Sequence, residues 1–138
     1  MARLSSTSFA SGSLARDSYI SRANELLALS YRQLREGEFD EALENAYRAA
    51  LRTAGARIAA AGAANKRGRP TSAWEQLARL DELGAVQAAS FRRWKGIRQD
   101  VLCGVSHADA QMVNDLLSEV ESLLTVVEQE AGWLPQVA

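Results

Sequence analysis

Cysteine, histidine and proline are scarce in this 138-residue sequence, and two of these scarcities exclude kinds of site. The single cysteine, Cys103, cannot form a disulfide within the chain and fits a reducing cytoplasm. One histidine without acidic pairs around it argues against a tetrahedral metal site, and we expect no cofactor. No apolar run approaches the ~20 residues that a membrane-spanning helix needs. We therefore expect a cytoplasmic protein without a metal, a cofactor or a membrane contact.

Positive charge is not in excess either. The formal net charge is −1 at pH 7, so the chain is not a globally basic nucleic-acid binder, and such a role requires a local basic surface. Hydrophobic residues make up 47% of the chain and charged residues 24%, which is the ordinary balance of a folded protein. A chain of this length can bury one core without disulfides. We expect a single domain.

Strand patterns are absent, because apolar and polar residues do not alternate over any sustained stretch. Apolar residues instead recur every three or four positions, as they do on one face of a helix. The first such series runs from Ile20 to Leu34 and ends at Gly37. We place its N-cap at Asp17 or Ser18.

Two more helices are predicted in the middle of the chain. Asp40 caps the second helix, whose many alanines allow a neighbouring helix to approach closely. Gly55 interrupts this helix, either because two backbones nearly touch there or because the helix frays. After a basic linker at residues 63–70, Thr71 or Ser72 caps a short third helix that ends at Gly84, and Ser72 forms a capping box with Glu75.

The last two predicted helices are long. The fourth runs from about Ala85 to Leu102, and the fifth follows a cap at Ser106. The apolar residues that we expect the fourth helix to bury are Val86, Ala89, Trp94, Ile97 and Val101. Those of the fifth are Val113, Leu116, Leu117, Val120, Leu123, Leu124 and Val127.

These patterns predict an all-α fold, an antiparallel up-down helical bundle of four long helices and one short helix. We divide the chain into a disordered N-terminal lead-in at residues 1–16, the bundle at residues 17–132 and a C-terminal tail at residues 133–138.

One short segment carries candidate chemistry, because Arg98 precedes Cys103 by five positions at the end of the fourth helix. An arginine at a helix end can hold a phosphate, since its guanidinium presents planar bidentate donors and stays charged at physiological pH. Cys103 is either a redox-sensitive thiol beside that cation or an inert side chain that fills space.

The sequence between Tyr31 and Glu130 resembles HEPN domains, small helical bundles found in many prokaryotic RNase toxins and nucleotide-handling proteins. Arg98-x4-Cys103 resembles the Arg-x4-His motif of that family. Further features are similar to a small actinobacterial branch: Tyr47 and Arg52 on the alanine-rich helix, and Ser72-Ala73-Trp74 after the basic linker.

The resemblance implies a homodimer, because active HEPN RNases bring two arginine–histidine pairs together across a dimer interface and cut RNA between them. Here Cys103 replaces the histidine, and a thiol is a poor general base for a ribose 2′-hydroxyl. Arg98 alone would still bind and orient a phosphate. His107, the only histidine, either replaces the missing base from a shifted position after the Ser106 cap or is an exposed residue without a task.

Two clusters of positive charge favour a nucleic-acid contact if the linker and the fourth helix face the same way. Otherwise each cluster is a solvated face that nearby acidic residues offset. We assign Tyr47 and Trp94 to the core rather than to base stacking. The candidate nucleic-acid-binding residues are Lys66, Arg67, Arg69, Arg92, Arg93, Lys95 and Arg98.

Three functions fit the sequence. We favour a catalytically degenerate HEPN-like module that binds nucleic acid, a nucleotide or a partner protein, and that is not an enzyme. The first alternative is a metal-independent endoribonuclease of the toxin–antitoxin type, with Arg98, Cys103 and His107 as candidate catalytic residues. The second is a plain helical adaptor that binds a partner helix. The candidate partners are accordingly a second copy of the chain, RNA or a nucleotide, and an antitoxin or accessory protein.

Overall fold

The computed structural model describes residues 2–62 and 72–135, with side chains from residue 12 onward. These residues form five helices and no strand, so the prediction of an all-α bundle of four long helices and one short helix is confirmed. The helices are α1 (Ala2–Arg35), α2 (Phe39–Ala60), α3 (Ala73–Ala78), α4 (Glu82–Leu102) and α5 (Ala110–Glu130). None of the helices in the described part is long and apolar enough to span a bilayer.

The first helix begins at Ala2, so its predicted start at Asp17 or Ser18 is wrong. Caps are only local signals, and here packing against α2 continues upstream of them. A Cβ on Gly12 would lie 3.1 Å from the carbonyl oxygen of Ala59, which shows how closely the two helices approach. The division of the chain into a lead-in, a bundle and a tail remains a prediction. Helix α1 extends through the segment predicted as the lead-in, residues 1–16, from Ala2 onward.

Helix α2 is the central element and is buried on most sides. Its alanines Ala46, Ala49 and Ala50 are fully buried, as their small side chains predict for a helix with close neighbours. Gly55 does not mark fraying or a contact between backbones. It lets the ring of Tyr19 on α1 pack closely against α2, because a Cβ at this position would lie only 3.2–3.3 Å from three atoms of that ring.

The turn between α3 and α4 differs from its prediction. Ser72 caps α3 as expected and accepts a hydrogen bond from the amide of Glu75 at 3.2 Å. The helix ends at Ala78 rather than at Gly84, because Asp81 caps α4 and accepts a hydrogen bond from the amide of Gly84 at 2.7 Å. Gly84 therefore lies inside the first turn of α4.

The first half of helix α4 buries a different face from the predicted one. Val86 and Ala89 are exposed, whereas Ala88 and Phe91 are buried. The physical reason is an aromatic contact that periodicity does not reveal: Phe91 stacks on Trp74 of α3 with ring centroids 4.9 Å apart. In the second half, Trp94 is buried as predicted, and Ile97 and Val101 are partly buried against the core.

The apolar stripe of α5 is buried as predicted, but the caps of α2 and α5 are not the expected residues. Asp109, not Ser106, caps α5 and accepts a hydrogen bond from the amide of Met112 at 2.8 Å. Glu38 precedes α2, and Asp40 instead accepts a hydrogen bond from the amide of Ala108 at 2.7 Å. The carboxylate of Asp40 thus joins the start of α2 to the loop before α5.

Candidate functional site

Arg98 projects from the C-terminal half of α4 onto α2. Its Nε and Nη2 donate to the two carboxylate oxygens of Glu44 at 2.7 and 2.9 Å. The guanidinium carbon lies 4.9 Å from the centroid of the Tyr47 ring. A bidentate pair and a cation–π contact together fix the plane of the guanidinium. No partner holds Nη1 within the described part of the chain, so one edge of Arg98 stays available.

The groups behind Arg98 explain why this geometry is stable. Arg48 also donates to Glu44, through Nε at 2.9 Å, and hydrogen bonds from Arg98 and Arg48 hold the pKa of Glu44 below its usual value. Burial raises the pKa of Tyr47. The hydroxyl of Tyr47 accepts a hydrogen bond at 2.8 Å from the indole of Trp74. Both Tyr47 and Trp74 are therefore core residues that support the arginine from beneath.

Arg98 lines a groove of about 560 Å³ between α1, α2, α3 and α4. Four arginines contribute to its wall, and the described residues that line it include no acidic side chain. Apolar side chains and the ring of Tyr19 make up most of the remainder. The four arginines are Arg22, Arg48, Arg52 and Arg98.

The charges of these arginines are only partly neutralised. Arg22 pairs with Glu25 at 2.9 Å on the exposed side of α1, and a single carboxylate, that of Glu44, serves both Arg48 and Arg98. Arg52 is exposed and has no ion pair in the part of the protein described here, but its guanidinium lies 5.9 Å from the centroid of Tyr19. The groove therefore has a positive potential on a protein of net negative charge.

Cys103 and His107 are not brought to this groove. The Cys103 thiol is exposed at the end of α4, where its sulfur accepts a hydrogen bond from Gln99 Nε2 at 3.3 Å. The side chain of His107 is 82% exposed, and its Nδ1 lies 3.0 Å from Asp40. That contact is the largest cause of the lowered pKa of Asp40. His107 lies in the loop before α5, not in the first turn as predicted.

The other basic residues predicted on α4 do not line the groove. Arg93 turns toward α5, with Nη2 at 3.5 Å from Glu119 and its guanidinium 5.1 Å from the Trp94 ring. Arg92 and Lys95 are exposed and have no ion pair within the described ranges. The linker residues Lys66, Arg67 and Arg69 lie outside the described residues. Of the cluster on α4, the structure brings only Arg98 into the groove.

Sequence reasoning did not find Tyr19, Arg22 or Arg48 as site residues. A signal for part of the set exists, because Arg48 and Arg52 are four positions apart and so lie on one face of a helix. The matching residues of α1 could not be found this way, because their proximity depends on how α1 packs against α2. Within the described ranges, no group of three His, Cys, Asp or Glu side chains is arranged to hold a metal ion.

This protein is an all-helical bundle with an arginine-lined groove. It carries an Arg-x4-Cys segment at the end of α4 and a Ser-Ala-Trp segment at the start of α3. The SAV_6107-like HEPN family model matches residues 35–128, and the chain therefore belongs to the HEPN family. Neither a curated protein nor a solved structure matches the chain. Arg48, Arg52 and Arg98 lie within the matched range, whereas Tyr19 and Arg22 precede it.

Stability at acid pH is expected to depend on Glu44. Because the folded-state pKa of Glu44 is lowered, its stabilising contribution is present above the ordinary glutamate pKa of about 4.3 and is lost as the pH falls through the lower folded value. Urea unfolding at a series of pH values should therefore show a steeper loss of stability below pH ~4.3 for wild type than for Glu44→Gln. Equal slopes for the two proteins would contradict the assignment.

Proposed function

We propose that this HEPN domain binds the phosphate backbone of single-stranded nucleic acid in the arginine-lined groove and does not cleave it. The observation that carries the proposal is the position of Arg98. Arg98, whose segment resembles the family motif, lies in the groove with Arg22, Arg48 and Arg52, whereas Cys103 and His107 lie outside it.

The chemistry of the groove suits phosphates. Arginine forms planar, charge-assisted pairs with phosphate oxygens, and Glu44 orients Arg98 while leaving its Nη1 without a partner in the described part of the chain. The cavity of about 560 Å³ is within the usual range of ligand sites, about 300–1,000 Å³. Its arginines and apolar side chains would contact, respectively, the charged backbone and the flat bases of a single strand.

The absence of cleavage follows from the groups near Arg98. RNA cleavage at a 2′-hydroxyl needs a positioned base within hydrogen-bond reach of the proton it removes. Among the described residues that line the groove, none is a histidine or a carboxylate. The carboxylate of Glu44 lies next to Arg98, but hydrogen bonds from Arg98 and Arg48 occupy it and lower its pKa, which makes it a weaker base. Tyr47 has a raised pKa, and its hydroxyl accepts a hydrogen bond from Trp74, so it is not poised to remove a proton at neutral pH. The metal-independent RNase is therefore the second candidate function.

The homodimer implied by the family is retained as part of the proposal. Leu102 and Val105 are 55% and 74% exposed on the two sides of Cys103. Apolar side chains at this turn, beside the motif, supply a surface on which a second copy can bury apolar area. Such a dimer would place two motif segments near each other.

Binding to a fluorescein-labelled oligouridylate tests the proposal. We expect Arg98→Gln to weaken binding about tenfold, because a charge-assisted phosphate contact is lost. It should also reduce the slope of log affinity against log salt by about 0.7, as expected for one phosphate contact to a single strand. Fluorescence anisotropy at several salt concentrations measures both effects.

Arg93→Gln is the matched control, since it removes one positive charge from the same helix outside the groove. The wild-type protein should leave the oligonucleotide intact. An equal loss of affinity in Arg93→Gln and Arg98→Gln would contradict binding in the groove. Metal-independent cleavage that disappears in His107→Ala would instead establish the RNase.

A further inference from the structure

We infer that α1 extends the groove into a track for at least two consecutive nucleotides of a single strand, with Tyr19 and Arg52 at the junction of two subsites. This inference rests on the proposed function and names the length and strandedness of its ligand. It concerns residues of α1 that lie before the range matched by the family, which begins at residue 35.

The first observation is a second cavity next to the groove. It has a volume of about 520 Å³ and is lined by Ala15, Ser18, Tyr19, Arg22 and Arg52. Three of these side chains also line the groove that contains Arg98, so the two cavities adjoin at those residues. We call them the α1 subsite and the Arg98 subsite.

The second observation is the placement of Tyr19 between the subsites. A Cβ on residue 55 would lie 3.2–3.3 Å from three atoms of the Tyr19 ring, so glycine there lets the ring lie against α2. The guanidinium of Arg52 lies 5.9 Å from the ring centroid. A ring held in place on a helix surface is a platform for base stacking, and an adjacent arginine adds a cation for the neighbouring phosphate.

The third observation is the division of charge between the subsites. Arg48 and Arg98 line only the Arg98 subsite, whereas Arg22 and Arg52 line both cavities. A mononucleotide in the α1 subsite reaches only Arg22 and Arg52, and one in the Arg98 subsite has a single phosphate to share among all four arginines. A strand that crosses Tyr19 brings a second phosphate, so that one phosphate faces Arg48 and Arg98 and the next faces Arg22 and Arg52 while one base stacks on the ring. A duplex keeps its bases stacked on each other and gains nothing from Tyr19.

Dependence of affinity on oligonucleotide length tests the inference. We would titrate wild type with labelled uridylates of one, two and four nucleotides and with a short RNA duplex. Affinity should rise about tenfold from one nucleotide to two or more, as expected when a second base and phosphate are engaged. The duplex should bind more weakly than the single strand of the same length.

Two variants remove the junction. Tyr19→Leu and Arg52→Gln should each abolish most of the length-dependent gain, so that the ratio of the affinity for two or more nucleotides to that for one nucleotide falls from about ten toward one. Arg52 is exposed and has no ion pair within the described ranges, so Arg52→Gln tests the junction even if Tyr19→Leu is poorly folded. Arg32→Gln is the control, because Arg32 is an exposed α1 arginine that lines neither cavity.

The possible results distinguish a failure of the two-subsite track from a failure of the proposed function. If the single nucleotide binds as tightly as the longer uridylates, or if the duplex binds as tightly as the single strand, the two-subsite track is wrong. If Arg98→Gln weakens binding but the gain with length survives in Arg52→Gln, the track is wrong and the proposed function stands. If no uridylate binds wild type even at low salt, both are wrong.

Discussion

Gly84→Ala is expected to destabilise the protein by about 2–3 kcal/mol, in the range of overpacked core substitutions. A Cβ at this position would lie 2.1 Å from the backbone oxygen of Leu77, which cannot move without shifting the end of α3. It would also crowd Arg57 and Asp81, both at 3.1 Å. Because Asp81 caps α4 through the amide of Gly84, the shift should also disturb the start of that helix.

Gly96→Ala provides the control within the same helix. Gly96 is exposed in the interior of α4, and a Cβ there would meet nothing within 4 Å. Alanine should therefore stabilise the protein by about 0.4–1 kcal/mol, because it favours the helix and restricts the unfolded chain. Urea unfolding followed by circular dichroism measures both variants. Similar changes of the same sign would show that the close contact at Gly84 is not the decisive difference.

Arg57→Leu is expected to cost about 2–3 kcal/mol of stability, less than the roughly 3–5 kcal/mol of a fully buried pair. The Arg57 side chain is 7% exposed and donates to both oxygens of Asp81, at 3.0 and 2.6 Å. It also reaches Glu130 at 3.3 and 3.4 Å. The effect is reduced because the carboxylates of Asp81 and Glu130 are 48% and 47% exposed, so water can solvate them after the arginine is removed.

One further variant separates geometry from charge at Arg57, and a second provides a control at an exposed ion pair. Arg57→Lys keeps the charge but lacks the planar fork that reaches both carboxylates, so it should recover less than half of the lost stability. Arg22→Ala removes one partner of an exposed pair on α1 and should change stability by less than about 1 kcal/mol. Chemical denaturation measures the series. Full recovery by lysine would mean that the fork geometry contributes nothing.

The prediction of the helices was most successful where one face of a helix is buried against its neighbours. The stripe from Val113 to Val127 on α5 is buried as its spacing predicts. The wrong predictions fall at the ends of helices and on α4. Asp40 and Ser106 have the right chemistry for caps, but the competing bond from the amide of Ala108 to Asp40 joins residues 68 positions apart. Sequence patterns over a few residues cannot predict a hydrogen bond between positions so far apart.

The sequence by itself determined that the chain is all-helical and that α2 is lined with alanines for close packing, and it showed the resemblance of Arg98-x4-Cys103 to the family motif. These features depend on periodicity and residue type over short distances along the chain. Both are properties of the sequence and do not depend on how the helices pack. Arg98 could be selected as a phosphate ligand for the same reason, because its charge and planarity are properties of the residue alone.

Only the tertiary structure decided which groups share a site. The pair between Arg98 and Glu44 joins positions 54 apart, and the contact of Tyr19 with Gly55 depends on the register of α1 along α2. The same packing turns Arg93 toward Glu119 and leaves His107 beside Asp40, away from the groove. Helix periodicity specifies which residues share a face. The register and rotation of one helix against another are set by side-chain fit across the whole core, as in the stacking of Phe91 on Trp74.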